Sequence, residues 1–168
     1  MTDLSPAGIA ALFTRADGAF LFARWGRPLV PVVFGADDAS LPAIKGALQA
    51  VAALAGVGMT ETDPELGANL MLFFLRDWDE LRGVPDLDRL VPGLEALLDR
   101  LEAAGANQYR VFRFEASGAI RAAFVFVRMD AHMAVLPAAD LALLQAVQTV
   151  LLWSDTAFHD RPALARAG

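Results

Sequence analysis

The stretch "QYRVFRFEASGAIRAAFVFVRM", Gln108 to Met129, constrains the fold more than any other part of the chain. Two runs of strand formers flank Ala116-Ser117-Gly118, and Gly118 can supply the positive φ that a short hairpin turn needs. The second run is apolar on both faces: Ile120, Ala122, Phe124 and Phe126 alternate with Ala123, Val125 and Val127. A strand without a polar face must be covered, so a sheet carrying helices on at least one side follows.

The preceding segments supply that sheet and its cover. "PLVPVVFG", Pro28 to Gly35, is β-branched and bounded by turn formers, and Pro31, which lacks a ladder donor, places it at an edge or a bulge. Ser40 caps a predicted helix whose apolar stripe is Leu41, Ile44, Leu48, Val51 and Leu54 and which Gly56 terminates. "ANLMLFFL", Ala68 to Leu75, is short and continuously apolar, as a central strand would be. Leu94, Leu97, Leu98 and Leu101 mark a further helix ending at Gly105, and Asp140 to Asp155 supplies a last long one. Near the start, Ser5-Pro6 opens a short helix, whereas "AFLFARW" is ambiguous between helix and strand.

The expected fold is α+β: a mixed sheet with a C-terminal antiparallel hairpin, packed against about three helices. Residues 1–168 read as one domain, with 1–24 an N-terminal helical extension and 156–168 a tail.

Composition removes several function classes. At 56% hydrophobic the chain has ample material for one core. The net charge is -6 and no basic run is present, which argues against a nucleic-acid surface. Arg110, Arg113, Arg121 and Arg128 are spread over the two hairpin strands, and Arg113 with Glu115 reads as a surface ion pair. Without cysteine there can be no disulfide, thiolate metal site or Cys nucleophile. Asp3 and a short apolar stretch do not resemble an export signal. The longest apolar region, Ala131 to Trp153, is interrupted by Pro137, Asp140, Gln145 and Gln148, too polar to span a membrane. A cytoplasmic location is the expectation.

The last predicted helix, "DLALLQAVQTVLLWSD", comes nearest to an active site. A zinc peptidase needs two His one helical turn apart and a Glu beside the first; the corresponding residues here are Leu144-Gln145-Ala146-Val147-Gln148. The stretch resembles the E-E-x-x-Q-x-L-G-L-x-x-D motif of an uncharacterised family of zincin-like bacterial proteins. Gln148 takes the Gln position, Val150 and Leu152 the two Leu positions, and Asp155 the final Asp. Leu151 replaces Gly, and Leu144 and Gln145 stand in place of the paired Glu. Upstream, Arg24-Trp25, Ala68-Asn69 before an apolar strand, and "SGAIRAAFVFV" recur in that family's order. The resemblance implies a zincin-like fold whose catalytic position is degenerate, because Leu144 cannot bind a metal and Gln145 cannot act as a base.

Gln145 and Gln148 lie i,i+3 and can bond each other, the sheet edge or a small ligand, or simply form the polar margin of an amphipathic helix. Asp155 and His159 can approach each other if the helix continues that far, and Ser154 beside them completes the residue types of a triad. His132 falls in a connection. Asp77, Asp79, Glu80, Asp86 and Asp88 surround Trp78 without calcium-loop spacing and read as a solvated loop. Exposed together, Trp25 and Trp78 would make a partner surface.

The resulting expectation is a non-catalytic zincin-like domain, a binding or interaction module for a protein or small molecule, with no metal and no cofactor. Its candidate ligand-binding residues are Gln145, Gln148, Asp155 and His159. The alternatives are a hydrolase with a site near Asp155 and His159, and a homodimer built through the Pro31 edge strand or the apolar hairpin.

Overall fold

The computed structural model describes residues 5–159. In chain order it contains α1 (Pro6–Ala11), β1 (Pro31–Phe34), α2 (Leu41–Ala55), β2 (Leu70–Leu75), a 3₁₀ turn (Trp78–Gly83), α3 (Leu87–Leu90), α4 (Leu94–Ala103), β3 (Gln108–Phe114), β4 (Ile120–Arg128), α5 (Ala131–Ala134) and α6 (Ala138–Val150). The four strands form one sheet in the order β1-β2-β4-β3. β1, β2 and β4 run parallel, and β3 is antiparallel to β4. The fold is therefore α+β around a mixed sheet.

Alternation along β2 and β4 explains why both faces are covered. Leu70, Leu72, Ala123, Val125 and Val127 face α2 and α6, meeting Ile44, Leu48, Val51, Leu141, Ala146 and Val150. Phe73, Leu75, Phe124 and Phe126 face the opposite way, against Trp78, Leu81, Leu94, Leu98 and Leu101. A strand apolar on both sides loses no polar contact with water by lying between two helical layers, and Phe126 and Val125 are completely buried there.

The hairpin forms where its sequence requires it. Gly118 has φ +86°, and β3 and β4 pair from Gln108 opposite Val127 to Phe114 opposite Ile120, with an irregularity after Arg113. Gly56 ends α2 at φ +72° and its N–H reaches the last turn. Ser5 caps α1 by accepting from the Gly8 N–H.

Other expectations shift. Ser40 precedes α2 but its hydroxyl does not cap it; Asp37 Oδ1 accepts the Ser40 N–H instead. Leu41 and Leu54, placed on the buried stripe by spacing, are exposed, Leu54 at 79%, and Ala52 is buried instead, because α2 packs chiefly on α6 and buries the face turned to it. "AFLFARW" forms neither helix nor strand; isolated bridges join Phe20 to Thr14 and Trp25 to Ile120 of β4. The N-terminal extension packs on the main core: Phe13 is buried and stacks on Trp153 with centroids 4.4 Å apart. Within the acidic loop, Asp77 caps the 3₁₀ turn and Glu80 returns to the Asp77 N–H, the reciprocal box that starts a helical turn. No helix among the described residues is long and apolar enough to cross a membrane.

Candidate functional site

Helix α6 ends at Val150, and Leu152 then turns the chain with φ +55°. Asp155 and His159 therefore do not share a helical face. Asp155 is exposed and pairs with Arg15 at 2.8 Å, while the His159 N–H bonds the Thr156 carbonyl. Ser154 is buried, and no hydrogen bond among the described residues links it to His159. The residue types of a triad are close in sequence but are not assembled.

Gln145 and Gln148 separate in the same way. Gln148 is half-buried and makes no hydrogen bond to Gln145. Gln145 is 1% exposed, so it is not on the polar margin of the helix; its side chain faces the edge strand β3. Arg110 Nη2 donates to Gln145 Oε1 at 2.8 Å and to Gln108 Oε1 at 3.0 Å, and Gln145 Nε2 donates to the same Gln108 oxygen at 3.1 Å. Position 145 reaches this network because α6 lies across the face of the sheet on which every second residue of β3 projects. Gln108, Arg110 and Phe112 share that face, and Phe112 packs on the same core layer as α6.

The electrostatics of this seam are unusual for an arginine. Burial pulls the guanidinium down from its ordinary value to about 10, which still leaves it charged at neutral pH. No carboxylate pairs with it among the described residues; its two acceptors are neutral amide oxygens. Its Nε is buried without a hydrogen-bond partner, as is Thr149 Oγ1 one turn beyond Gln145 on α6. Buried polar atoms are usually paired, so two orphans on one seam mark it off from the rest of the core.

The backbone beside this cluster is open. The Arg128 N–H donates to the Asn107 carbonyl, which fixes the phase of the β3–β4 ladder. Tyr109, Val111 and Arg113 then exchange bonds with β4, and the N–H and C=O groups of Gln108, Arg110 and Phe112 point away from the sheet. At the other edge, the Leu29 N–H and C=O are taken by Gly58 and Thr60, and the Val30 carbonyl accepts from Leu70. Alternation leaves Pro31 and Val33 facing outward on β1, and proline has no N–H, so Val33 carries the one outward donor of that strand.

Concave regions lie elsewhere, two of them beside the parallel strands and a third between Trp78, Glu102 and Arg128. A cleft of about 200 Å³ at the carboxyl ends of β1, β2 and β4 is lined by Asp37, Ser40, Phe74, Met129 and Leu136 among others. A wider, mostly apolar groove of about 720 Å³ runs beside β1 over Val33, Leu41, Leu48 and Met59, and Lys45 at its rim pairs with Glu61. None of these contains a buried unpartnered polar group.

The remaining candidates find local explanations. Trp78 is buried, donating to the Ala106 carbonyl, whereas Trp25 is half-buried against the opposite core layer, so the two make no common patch. Arg82 gathers Asp79, Glu95, Asp99 and Glu102, and these carboxylates hold its pKa above the ordinary arginine value. Arg113 points to the Leu90 carbonyl and does not pair with Glu115. His132 is exposed on α5. Among the described residues no three His, Cys, Asp or Glu side chains are grouped to hold a metal. Compared with protein-family models, curated proteins and solved structures, the chain matches none of them.

Proposed function

We propose that this chain is a non-catalytic, zincin-like binding module that takes an extended peptide segment along the outer edge of β3, with α6 as its floor. The observation that carries the reading is the row of unpaired backbone groups at Gln108, Arg110 and Phe112. An edge with several free donors and acceptors in register is the surface to which an extended peptide adds as a strand, while side chains beside it supply selectivity. β1, with its single outward donor, is the poorer edge for the same purpose.

The chemistry at the seam supports binding over hydrolysis. Gln145 and Gln148 can accept and donate hydrogen bonds but cannot take a proton near neutral pH, and Leu144 offers no donor atom. On the resemblance to zincin-like proteins, Leu144 and Gln145 stand where the paired acids would be, and Gln148 keeps the motif's Gln. Asp155 is engaged with Arg15, which weakens the alternative of a hydrolase built around Asp155 and His159.

The test is selection of short linear peptides by display on the full chain, followed by affinity measurement with wild type and a Phe112→Pro variant. Proline at 112 removes an outward N–H and no ladder bond to β4, and because it also removes a ring packed on the core, Phe112→Ala serves with wild type as the reference. The reading predicts that selected peptides lose at least about tenfold in affinity, the equivalent of one backbone hydrogen bond in a dry seam. Equal affinity for Phe112→Pro and Phe112→Ala contradicts it. If light scattering shows a dimer that Phe112→Pro dissolves, the edge pairs with a second copy instead. Stoichiometric zinc in the purified protein contradicts the non-catalytic part.

A further inference from the structure

Resting on the binding reading above, we infer that Arg110 makes this seam selective for a carboxylate, which it would receive from the bound segment. Three observations meet at one side chain. Arg110 is a partly buried cation on the open edge strand, with no acid on β3, β4 or α6 paired to it. Gln108 and Gln145 hold Nη2 with both amide oxygens and so fix the plane of the guanidinium without cancelling its charge. Nε is a buried donor without a partner, and the side-chain bonds Arg110 makes among the described residues are both from Nη2, none from Nη1.

Among the described residues this arrangement leaves one positive charge poorly solvated and without a counterion, in a chain whose net charge is -6. Were Arg110 purely structural, a Glu at 145 would serve better, since a charge-assisted bond is roughly twice as strong as a bond to a neutral amide. The neutral amide orients the cation and leaves its counterion to come from outside. A monoanion fits the charge of the seam. A phosphate dianion would need a second cation, and by strand alternation Arg113 and Arg128 project on the other face of the sheet from Arg110, where Arg128 also pairs with Asp130 at 3.7 Å.

The carboxylate can be an acidic side chain or a chain terminus. Acetyl-aspartyl methylamide and acetyl-alanine separate these sources, with acetate as the minimal probe and inorganic phosphate as the competing class. The ¹⁵N-labelled full chain is titrated at constant ionic strength, following the Arg110 Nε–Hε signal and the side-chain amides of Gln108 and Gln145. The expected result is saturable movement of all three with acetate and tighter binding of one of the two amino-acid derivatives. Gln145→Glu, which supplies the counterion internally while keeping Arg110, should weaken acetate binding by about tenfold or more. Arg110→Gln should abolish it; should that variant fail to fold, the Gln145→Glu comparison stands alone.

Shifts no larger than those caused by chloride, tighter binding of phosphate, or unchanged acetate affinity in Gln145→Glu would each overturn the inference. Failure here, with selected peptides still sensitive to Phe112→Pro, removes only the carboxylate selectivity. Saturable acetate binding with no peptide at the edge removes the strand-addition reading and leaves the anion site.

Discussion

Replacing Gln145 by Leu tests how much the seam contributes to folding. The side chain is 1% exposed and makes two hydrogen bonds, one from the Arg110 guanidinium and one to Gln108. A bond to a charged group contributes about 1.5–3 kcal/mol and a neutral one about 0.5–1.5 kcal/mol. Arg110 keeps its bond to the Gln108 oxygen, so the cation does not lose every partner. Leucine returns some apolar burial, roughly 1 kcal/mol, in place of the amide. The net expectation is a loss of about 1–3.5 kcal/mol, read from the urea midpoint at constant m-value, or roughly 2–14 °C in Tm for a chain of this size.

Arg110→Met combined with Gln145→Leu removes both ends of the interaction, and replacing both partners by apolar groups of similar shape is close to neutral. The double variant should therefore be more stable than Gln145→Leu alone, which is non-additivity of the sign expected for residues in one network. A Gln145→Leu protein within about 0.5 kcal/mol of wild type would refute the reasoning, because that is the range of ordinary surface substitutions.

Asn69→Leu should destabilise by about 2–4 kcal/mol in the same assay, since buried Asn69 accepts from the Val30 N–H and donates to the Pro28 carbonyl, and both groups would be left unpaired. For acid, the sign follows from Asp130. The Met133 N–H first, then Asn107 and Arg128, hold its carboxyl below the usual carboxylate value. Its contribution is thus present above the unfolded pKa and is lost as pH falls through the lower folded one. Asp130→Asn should flatten that part of the stability–pH curve below about pH 4, measured by urea titration at stepped pH.

The layered architecture is legible because it depends on patterns local to each segment. β4 displays apolar residues on both faces within nine positions, which demands cover, and the structure supplies it on both sides where the sequence requires at least one. Gly118 and Gly56 mark their turns for the same local reason. The seam is not local. Arg110 and Gln145 are 35 positions apart, and each alone reads as a polar residue bound for water. Their shared burial depends on where α6 crosses the sheet, which helical period does not encode. Asn69 is similar: an Asn before an apolar strand is visible in the sequence, but its role in joining β1 to β2 needs the register of Pro31 opposite Leu70. The early end of α6 separates Asp155 from His159, and Leu151-Leu152 carries no glycine or proline to announce it.

The measurement that bears most directly on the binding reading is a map of backbone amide perturbations on the labelled chain when a display-selected peptide is added. Strand addition at β3 predicts the largest changes at Gln108, Arg110 and Phe112, with smaller ones at Tyr109 and Val111, whose amides face β4. Perturbations centred on Gly35, Ser40 and Met129, at the carboxyl ends of the parallel strands, would contradict it and move the binding site to the cleft.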